Sequence, residues 1–324
     1  MFTVPILMIV FNRPDKTKRV LQALEKIKPA RIFVAADGPR LNIADDAENS
    51  LAVRKLFDNL AWPCEVHRLF QSQNLGVALN PRKGLTWFFH HVEEGIILED
   101  DCVPGEDFFP YCRELLAYYR TDARVFTING GNLGYELTNG NSYTFTRFMN
   151  MTGWATWRRS FLMIDYDLKG WCKTKQPLFY VYSYLRQHLF DFDINWYKYW
   201  RLRFDLSIDA EKTKWWDYHW IYNQLVNKKV SIVPCRNLVT NIGFDDTATS
   251  VTDSNNPAAN VPVNKMIFPL KHPTSIKVDM KYEENIVKEK WCSYKRLPFI
   301  FYIKMYVSKL AGRMQRTSKQ VIKK

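Results

Sequence analysis

The stretch "GIILEDDCVP", residues 95–104, joins a short apolar run to three consecutive acids, Glu99, Asp100 and Asp101. The apolar residues have the length and bounds of a buried strand, and a proline then ends the element. Three adjacent carboxylates repel one another unless a positive charge lies between them. The stretch therefore predicts a strand that ends at a cation-binding cluster.

The residues before this stretch have the pattern of an open α/β sheet. "VPILMIVFN" is an almost continuous apolar run, which is typical of a strand buried on both faces of a parallel sheet. "DKTKRVLQALEKI" follows with helical spacing, and "ARIFVAADG" is a second strand, so the order is strand, helix, strand. Helices in "AENSLAVRKLFDNL" and "GVALNPRKGLTWFFHHV", and strands in "CEVHRLFQ" and "GIILE", continue the alternation. The pattern predicts a mostly parallel sheet with helices on both faces.

Each predicted strand ends in polar residues. They are Asn12 and Arg13, Asp37 and Gly38, Gln73 and Asn74, and the three acids from Glu99 to Asp101. Open α/β sheets bind ligands at the carboxyl ends of their strands. Any one of these pairs could be a simple turn, but the four together predict a site at this edge.

The composition is that of an ordinary globular protein. The 324 residues are 47% hydrophobic and 24% charged, and no run reaches the roughly 18 apolar residues of a membrane span. The N-terminus lacks a basic region and a small-residue cleavage site, so we expect a cytoplasmic location. The six cysteines are scattered without metal-ligand spacing and are expected to be free thiols.

The net charge of +13 is concentrated at the C-terminus, where nine Lys or Arg and no acid lie from Lys295 to Lys324. This distribution, with no recognisable nucleic-acid-binding module, argues against DNA or RNA as a partner. The segment has the spacing of a basic amphipathic helix, which predicts binding to an anionic membrane surface. The alternative is a helix that docks its apolar stripe on the rest of the protein.

Three chemistries place acids at the end of such a strand. An aspartyl-phosphate phosphatase would need a DxD and a downstream lysine that are not evident here. A nucleotidyltransferase would need a glycine-rich loop after the first strand, and "MIVFNRPDK" contains no glycine. In a glycosyltransferase the acids would hold Mn²⁺ or Mg²⁺ against the diphosphate of a nucleotide sugar. The spacing and position of "EDD" favour the third.

The chain also resembles the GT-A glycosyltransferases, particularly the branch that contains eukaryotic N-acetylglucosaminyltransferase I, and bacterial nucleotide-sugar transferases of surface-polysaccharide pathways. The resemblance rests on "PILMIVFNRPDKTKRVLQAL", "IFVAADG" and above all "IILEDDCVPGEDFFPYCRELLAYYRTDARVFTING". It covers residues 4 to about 131, then only patches such as "TGWATWRRS", "WWDYHW" and "NLVTNIGFDDTATS". It implies a GT-A fold, with an acceptor-side region and a C-terminal basic helix added.

The resemblance also implies roles for single residues. Asp101 would ligate the metal, Asp100 would reach the ribose hydroxyls, Glu99 would touch the donor sugar, and Arg13 would contact the nucleotide or its phosphates. Asp37 would accept the uracil N3–H, although an Asp-Gly turn is the simpler interpretation of the residues alone. Further nucleotide-binding candidates are Asn12, Arg82 and Asn80, the last at a position where the family often has a histidine.

Inverting transfer needs a general base to take the proton of the acceptor hydroxyl. Asp217 lies between Trp216 and Tyr218, and aromatic surroundings can raise the pKa of an acid toward the useful range. His219 is the rival candidate. The segment "NLVTNIGFDDTATSVTD" suits a mobile loop over the donor, in which Ser250 stands where related sequences often have a metal-binding histidine. Asp245 and Asp246 are interpreted as a solvated turn.

Together these features predict a metal-dependent, inverting glycosyltransferase that moves a sugar from a UDP-sugar to a glycan or lipid-linked acceptor. We expect the enzyme to act in surface-polysaccharide biosynthesis and to bind peripherally to the inner face of the cytoplasmic membrane. The alternatives are a sugar-1-phosphate nucleotidyltransferase and a non-catalytic carbohydrate-binding or membrane-binding protein. We expect a nucleotide-sugar-binding half at residues 1–125, an acceptor-binding half at 126–260 and a C-terminal arm with the basic tail at 261–324.

Overall fold

The structure is a computed structural model of the whole chain, and it describes residues 1–138, 140–173, 200, 203–208, 215–245, 256 and 258–286. Residues 1–283 form one compact unit, and residues 284–324 form a second, of which only the first three residues are described. The predicted basic tail helix, Ser250 and Asp246 lie outside the described residues. One sheet runs through residues on both sides of position 125, and the assignment of residues 1–125 to the nucleotide sugar and of 126–260 to the acceptor stays a prediction.

The first half alternates strands and helices as the apolar pattern predicts. Its strands are β1 (Ile6–Val10), β2 (Arg31–Ala36), β3 (Glu65–Phe70) and β4 (Glu94–Glu99). Its helices are α1 (Pro14–Ile27), α2 (Asp46–Lys55) and α3 (Gly76–His91). Proline at the first position of α1 fits there because that residue has no intrahelical partner for an N–H. All five residues of β1 are buried, as expected of a strand covered on both faces.

The second half completes the sheet. After the short strand β5 (Cys102–Pro104) and helix α4 (Phe108–Tyr118) come β6 (Val125–Asn129), β7 (Tyr143–Thr146) and β8 (Trp154–Trp157). Two short helices, α5 (Arg158–Phe161) and α6 (Lys169–Lys173), are followed by α7 (Asp217–Val226), β9 (Val230–Pro234), β10 (Val239–Asn241) and α8 (Met280–Ile286).

The eight-stranded sheet has the order β3-β2-β1-β4-β8-β6-β9-β7, and β10 pairs separately with β5. The pairings of β1 with β2 and β4, of β2 with β3 and of β6 with β9 are parallel. Strand β8 lies antiparallel between β4 and β6, and β7 is antiparallel to β9. The predicted fold class, a mixed and mostly parallel Rossmann-like sheet, is confirmed. The carboxyl ends of β1, β2, β3 and β4 meet at one edge of it.

The core has a layer on each face of the sheet. Alternate residues of β1, namely Ile6, Met8 and Val10, belong to a cluster with residues of α1, α2 and α4. On the opposite face α3 packs closely, since a Cβ at Gly84 would come within 2.8 Å of the Ala35 side chain. Of the tryptophans predicted to be core, Trp200 and Trp220 are fully buried. None of the helices in the described ranges is long and apolar enough to span a membrane. Cys64, Cys102, Cys112 and Cys235 are free thiols.

Candidate active site

A pocket of about 260 Å³ opens at the carboxyl ends of β1, β2 and β4. Its walls include several residues that the sequence singled out: Arg13, Asp37, Asn74, Asn80, Glu99, Asp100 and Asp101. The parallel pairing of β1 with both β2 and β4 explains why segments distant in sequence end side by side. The strand ends thus form one cavity rather than separate turns.

The cation between the acids is the guanidinium of Arg13. Its Nη2 contacts the Asp100 carboxylate and lies 3.0 Å from Oδ2 of Asp101, while its Nε donates to Oδ2 of Asp100 at 3.3 Å. Burial lowers the pKa of Arg13, but the charges of Asp100 and Asp101 outweigh burial and raise it overall. Arg13 lies immediately before α1, where strand β1 turns into the helix beside the end of β4.

Two further acids, Glu99 and Asp217, have raised pKa values. Burial, followed by the charges of Asp101 and Asp100, raises the pKa of Glu99 to about 8, and the charge of Asp217 adds to this effect. Burial also raises the pKa of Asp217 to about 6. Asp217 is therefore close enough to act electrostatically on Glu99, although it is not among the residues that line the pocket. A carboxylate with this pKa can accept a proton near neutral pH.

Helix α7 begins at Asp217 and carries His219 in its first turn. His219 is 3% exposed, its Nδ1 lies 3.4 Å from the carbonyl oxygen of Trp216, and burial lowers its pKa. Its ring lies beside that of Tyr166, and its Nε2 has no hydrogen-bond partner among the described residues. His219 thus has the surroundings of a core histidine, while Asp217 is half-buried at the helix start.

The segment after β10 lies directly against Asp101. The N–H of Ile242 donates to the carbonyl oxygen of Asp101 at 2.9 Å, and a Cβ at Gly243 would come within 1.9 Å of Oδ2 of Asp101. Gly243 is held by its own N–H, which donates to Oδ1 of Asn241 at 2.7 Å. Only glycine fits this close approach between backbone and carboxylate. Asp245, predicted to be a solvated turn, forms an ion pair with Lys16 at 2.8 Å.

The donor set suits a hard divalent cation only in part. Within the described ranges no group of three or more His, Cys, Asp and Glu side chains is arranged to hold a metal ion. A magnesium-type site, however, commonly uses one or two carboxylates together with the phosphates of its substrate. Asp101 lines the pocket and offers such a carboxylate, and its present partner, Arg13, is itself a cation. The residues therefore fit a metal that arrives with a diphosphate and do not form a closed site of their own.

Asp37 is 4% exposed, and its carboxylate accepts hydrogen bonds from four N–H groups. Oδ1 accepts from the backbone N–H of Gly38 and of Leu75, both at 2.8 Å, while Oδ2 accepts from Gly76 at 3.0 Å and from Nδ2 of Asn74 at 3.2 Å. Burial raises its pKa, and these donors oppose that rise. The contact of Asp37 with uracil stays a prediction, but a base N–H would be a fifth donor to this group.

Of the three other residues predicted to bind the nucleotide, two do not line the pocket, and the third lines it but is almost fully buried. Asn12 does not line the pocket; its Nδ2 donates to Asp46 at 2.6 Å, and Asp46 holds Arg40, which does line it. The guanidinium of Arg82 lies 4.5 Å from the ring centre of Tyr166 and is not part of the pocket wall. Asn80 lines the pocket but is only 3% exposed.

Sequence reasoning gave no role to several residues of the pocket wall, among them Phe11, Arg40 and Asn241. Gly243 and Asn241 belong to the segment predicted as a loop over the donor. The sequence therefore placed them near the site but did not predict the contacts of Gly243 with Asp101 and with Asn241. Arg40 follows the Asp-Gly pair by two residues, and nothing in the sequence pattern links it to Asp46.

No family model and no curated protein matches the chain. Among solved structures, residues 1–349 of TarS from S. aureus, a wall teichoic acid glycosyltransferase, are 12% identical with a TM-score of 0.35; the match covers 57% of this chain and 56% of that chain. HddC from Yersinia pseudotuberculosis in complex with GMP-PN, a sugar nucleotidyltransferase, is 9% identical with a TM-score of 0.30 over 48% of this chain and 77% of that chain. These likenesses are too slight to indicate a function.

Proposed function

We propose that this chain is a glycosyltransferase that transfers a sugar from a UDP-sugar to a glycan or lipid-linked acceptor. The observation that supports it is the cluster of Arg13 with Asp100 and Asp101 in a pocket at the carboxyl ends of parallel strands. Such an edge is where open α/β sheets bind nucleotides. A guanidinium beside acids can bind a diphosphate directly and can exchange its carboxylate partners for phosphate oxygens.

Asp101 would hold Mn²⁺ or Mg²⁺ together with the donor diphosphate. The metal, when bound, neutralises the charge of the departing nucleoside diphosphate. Arg13 donates N–H groups to the same phosphates and fixes their position beside the acids. Gly243 leaves room for this carboxylate, since a Cβ there would come within 1.9 Å of Oδ2 of Asp101.

Asp217 acts as the general base in the proposed reaction. Its carboxylate, with a pKa of about 6, takes the proton of the acceptor hydroxyl as that oxygen attacks the anomeric carbon. Because the base and the leaving phosphate then act on opposite faces of the sugar, the product has inverted configuration. Glu99, whose pKa is raised by burial and, after it, by the charges of Asp101 and Asp217, is assigned to the donor sugar.

The alternative, a sugar-1-phosphate nucleotidyltransferase, has less support from the chain after β1. That segment passes through Phe11, Asn12 and Arg13 into α1 at Pro14, with no glycine in it. A phosphate-binding loop normally uses glycines so that backbone N–H groups can approach the phosphates. Here Arg13 takes the part that such a loop would have.

Location and pathway are also proposals. We assign the enzyme to surface-polysaccharide biosynthesis, such as lipopolysaccharide assembly, on the inner face of the cytoplasmic membrane. The excess of positive charge from Lys295 to Lys324 supports attachment to anionic lipid, where a lipid-linked acceptor would also lie.

The proposal is tested by incubating the protein with Mn²⁺ and a panel of nucleotide sugars. Slow release of UDP from one of them is the expected result, since water can replace the acceptor. Exchange of labelled pyrophosphate into a nucleotide sugar would instead identify a nucleotidyltransferase. Absence of both reactions, together with binding of glycans or liposomes, would point to a non-catalytic protein.

A further inference from the structure

We infer that the carboxamide oxygen of Asn74 accepts a hydrogen bond from a ring N–H of the donor's base, and that Asp37 positions Asn74 for this contact. This inference rests on the proposed function, because it assigns one end of the same pocket to the base. Asn74 then determines the specificity for the base, and the bases that it selects are those that carry a ring N–H.

The carboxylate of Asp37 has no acceptor site left for the base. A carboxylate offers about four lone-pair sites, and Asp37 uses them for Gly38, Leu75, Gly76 and the side chain of Asn74. Three of these donors are backbone N–H groups, and two of them, those of Leu75 and Gly76, lie at the start of α3, where the base could displace them only by moving the helix. Asp37 therefore fixes the segment after β3 to the end of β2.

The orientation of the Asn74 amide follows from its partners. Its Nδ2 lies 2.8 Å from the carbonyl oxygen of Gly38 and 3.2 Å from Oδ2 of Asp37. Both partners can only accept, so the nitrogen must face them and use its two hydrogens there. The oxygen then faces away from Asp37, and it accepts no hydrogen bond from any described residue.

The position of Asn74 is held rigidly as well. A Cβ at Gly38 would come within 2.4 Å of the backbone of Gln73, so the segments that follow β2 and β3 touch directly beside Asn74. Asn74 lines the same pocket as Arg13 and the acids, together with Phe11 and Val77. These two side chains offer an apolar wall to the flat face of a base. A base against this wall can present its edge to the oxygen of Asn74.

A fixed acceptor selects among the bases by their ring nitrogens. Uracil, thymine and guanine carry a ring N–H and can donate to Asn74. Cytosine and adenine present a lone pair at the corresponding position, so two acceptors would face each other without a hydrogen. A buried acceptor left in this way weakens binding by about 10-fold to 100-fold. The expected donors are therefore uridine, thymidine or guanosine diphosphate sugars.

The inference is tested by titration calorimetry of UDP, dTDP, GDP, CDP and ADP against the full chain with Mn²⁺. In the unchanged protein, at least one of UDP, dTDP and GDP should bind about 10-fold to 100-fold more tightly than CDP and ADP. Asn74→Ala should bring the affinities for that nucleotide and CDP to within about threefold of each other. Gln73→Ala is the matched control, because Gln73 is exposed and does not line the pocket; it should keep the original ratio.

The outcomes separate this inference from the proposed function. If UDP binds but Asn74→Ala keeps the original ratio, Asn74 does not recognise the base and the proposed function stands. The inference is also overturned if the unchanged protein binds none of UDP, dTDP and GDP more tightly than CDP and ADP, and this result needs no variant to fold. If no nucleotide binds, both the inference and the proposed function are wrong.

Discussion

Replacing Arg13 with methionine tests the electrostatics of the acidic cluster. The side chains of Asp100 and Asp101 are only 5% and 12% exposed, and that of Arg13 is 15% exposed. Removing one partner of such a buried group leaves uncompensated charge, which destabilises a protein by about 3–5 kcal/mol. We therefore expect Arg13→Met to lower the free energy of unfolding at pH 8 by about that amount.

The loss should depend on pH. In the variant, burial and mutual repulsion hold the pKa of Asp100 above its unfolded value of about 4, as burial already does beside Arg13. A group with a raised native pKa contributes its stability below the unfolded pKa and loses it as the pH rises through the native one. The difference in the free energy of unfolding between the variant and the unchanged protein should thus be larger at pH 8 than at pH 5. Mn²⁺ should stabilise the variant more than the unchanged protein, because it can replace the missing cation.

Urea unfolding followed by circular dichroism measures these differences at both pH values. Arg13→Lys keeps the charge, so its free energy of unfolding should fall by less than that of Arg13→Met. Lys26→Met removes an exposed ion pair whose side chains are 62% and 56% exposed, so it should lose less than about 1 kcal/mol at either pH. If Arg13→Met loses no more than Lys26→Met, or loses equally at pH 5 and pH 8, the reasoning about the cluster is wrong.

Three further changes test other parts of the account. Asp217→Asn should lower turnover by about 10²-fold to 10⁴-fold with little change in UDP affinity, and it should remove the fall in kcat below about pH 6; retention of turnover in steady-state kinetics would favour His219. Gly38→Ala adds a Cβ within 2.4 Å of the Gln73 backbone, so calorimetry should show weaker UDP binding in a folded protein, and unchanged affinity would show that the contact between β2 and β3 does not shape the pocket. Truncation before Lys295 should abolish sedimentation with anionic liposomes at low salt and leave UDP release intact, whereas sedimentation of the truncated protein would show that the tail is not the anchor.

The first half of the fold could be predicted from local patterns. The apolar runs of β1 and β4 and the helical spacing of α1 determine those elements by themselves, and the observed bounds differ from the predicted ones by a few residues. The antiparallel position of β8 between β4 and β6 could not be predicted, because it depends on pairing between residues 25 to 63 positions apart, from Asn129–Trp154 to Glu94–Trp157. No period in the sequence encodes such a pairing.

The site could be predicted as a set of residues and less well as a set of contacts. The acids and Arg13 were recognisable as strand ends, but the ion pair between Arg13 and Asp100 spans 87 positions and follows only from the neighbouring strands β1 and β4. Asn12 and Arg82 have residue types suited to nucleotides, yet they pack against Asp46 and Tyr166. Side-chain direction, which decides such cases, depends on tertiary packing.

The central claim is that the Arg13 pocket binds a nucleotide sugar through a metal held by Asp101, and release of UDP in Mn²⁺ tests it most directly. The rate should be compared between the unchanged protein and Asp101→Ala, with folding of both checked by circular dichroism. The account predicts measurable release of UDP from at least one UDP-sugar by the unchanged protein and none by Asp101→Ala. Release that is equal in the two proteins, or pyrophosphate exchange in place of release, would contradict it.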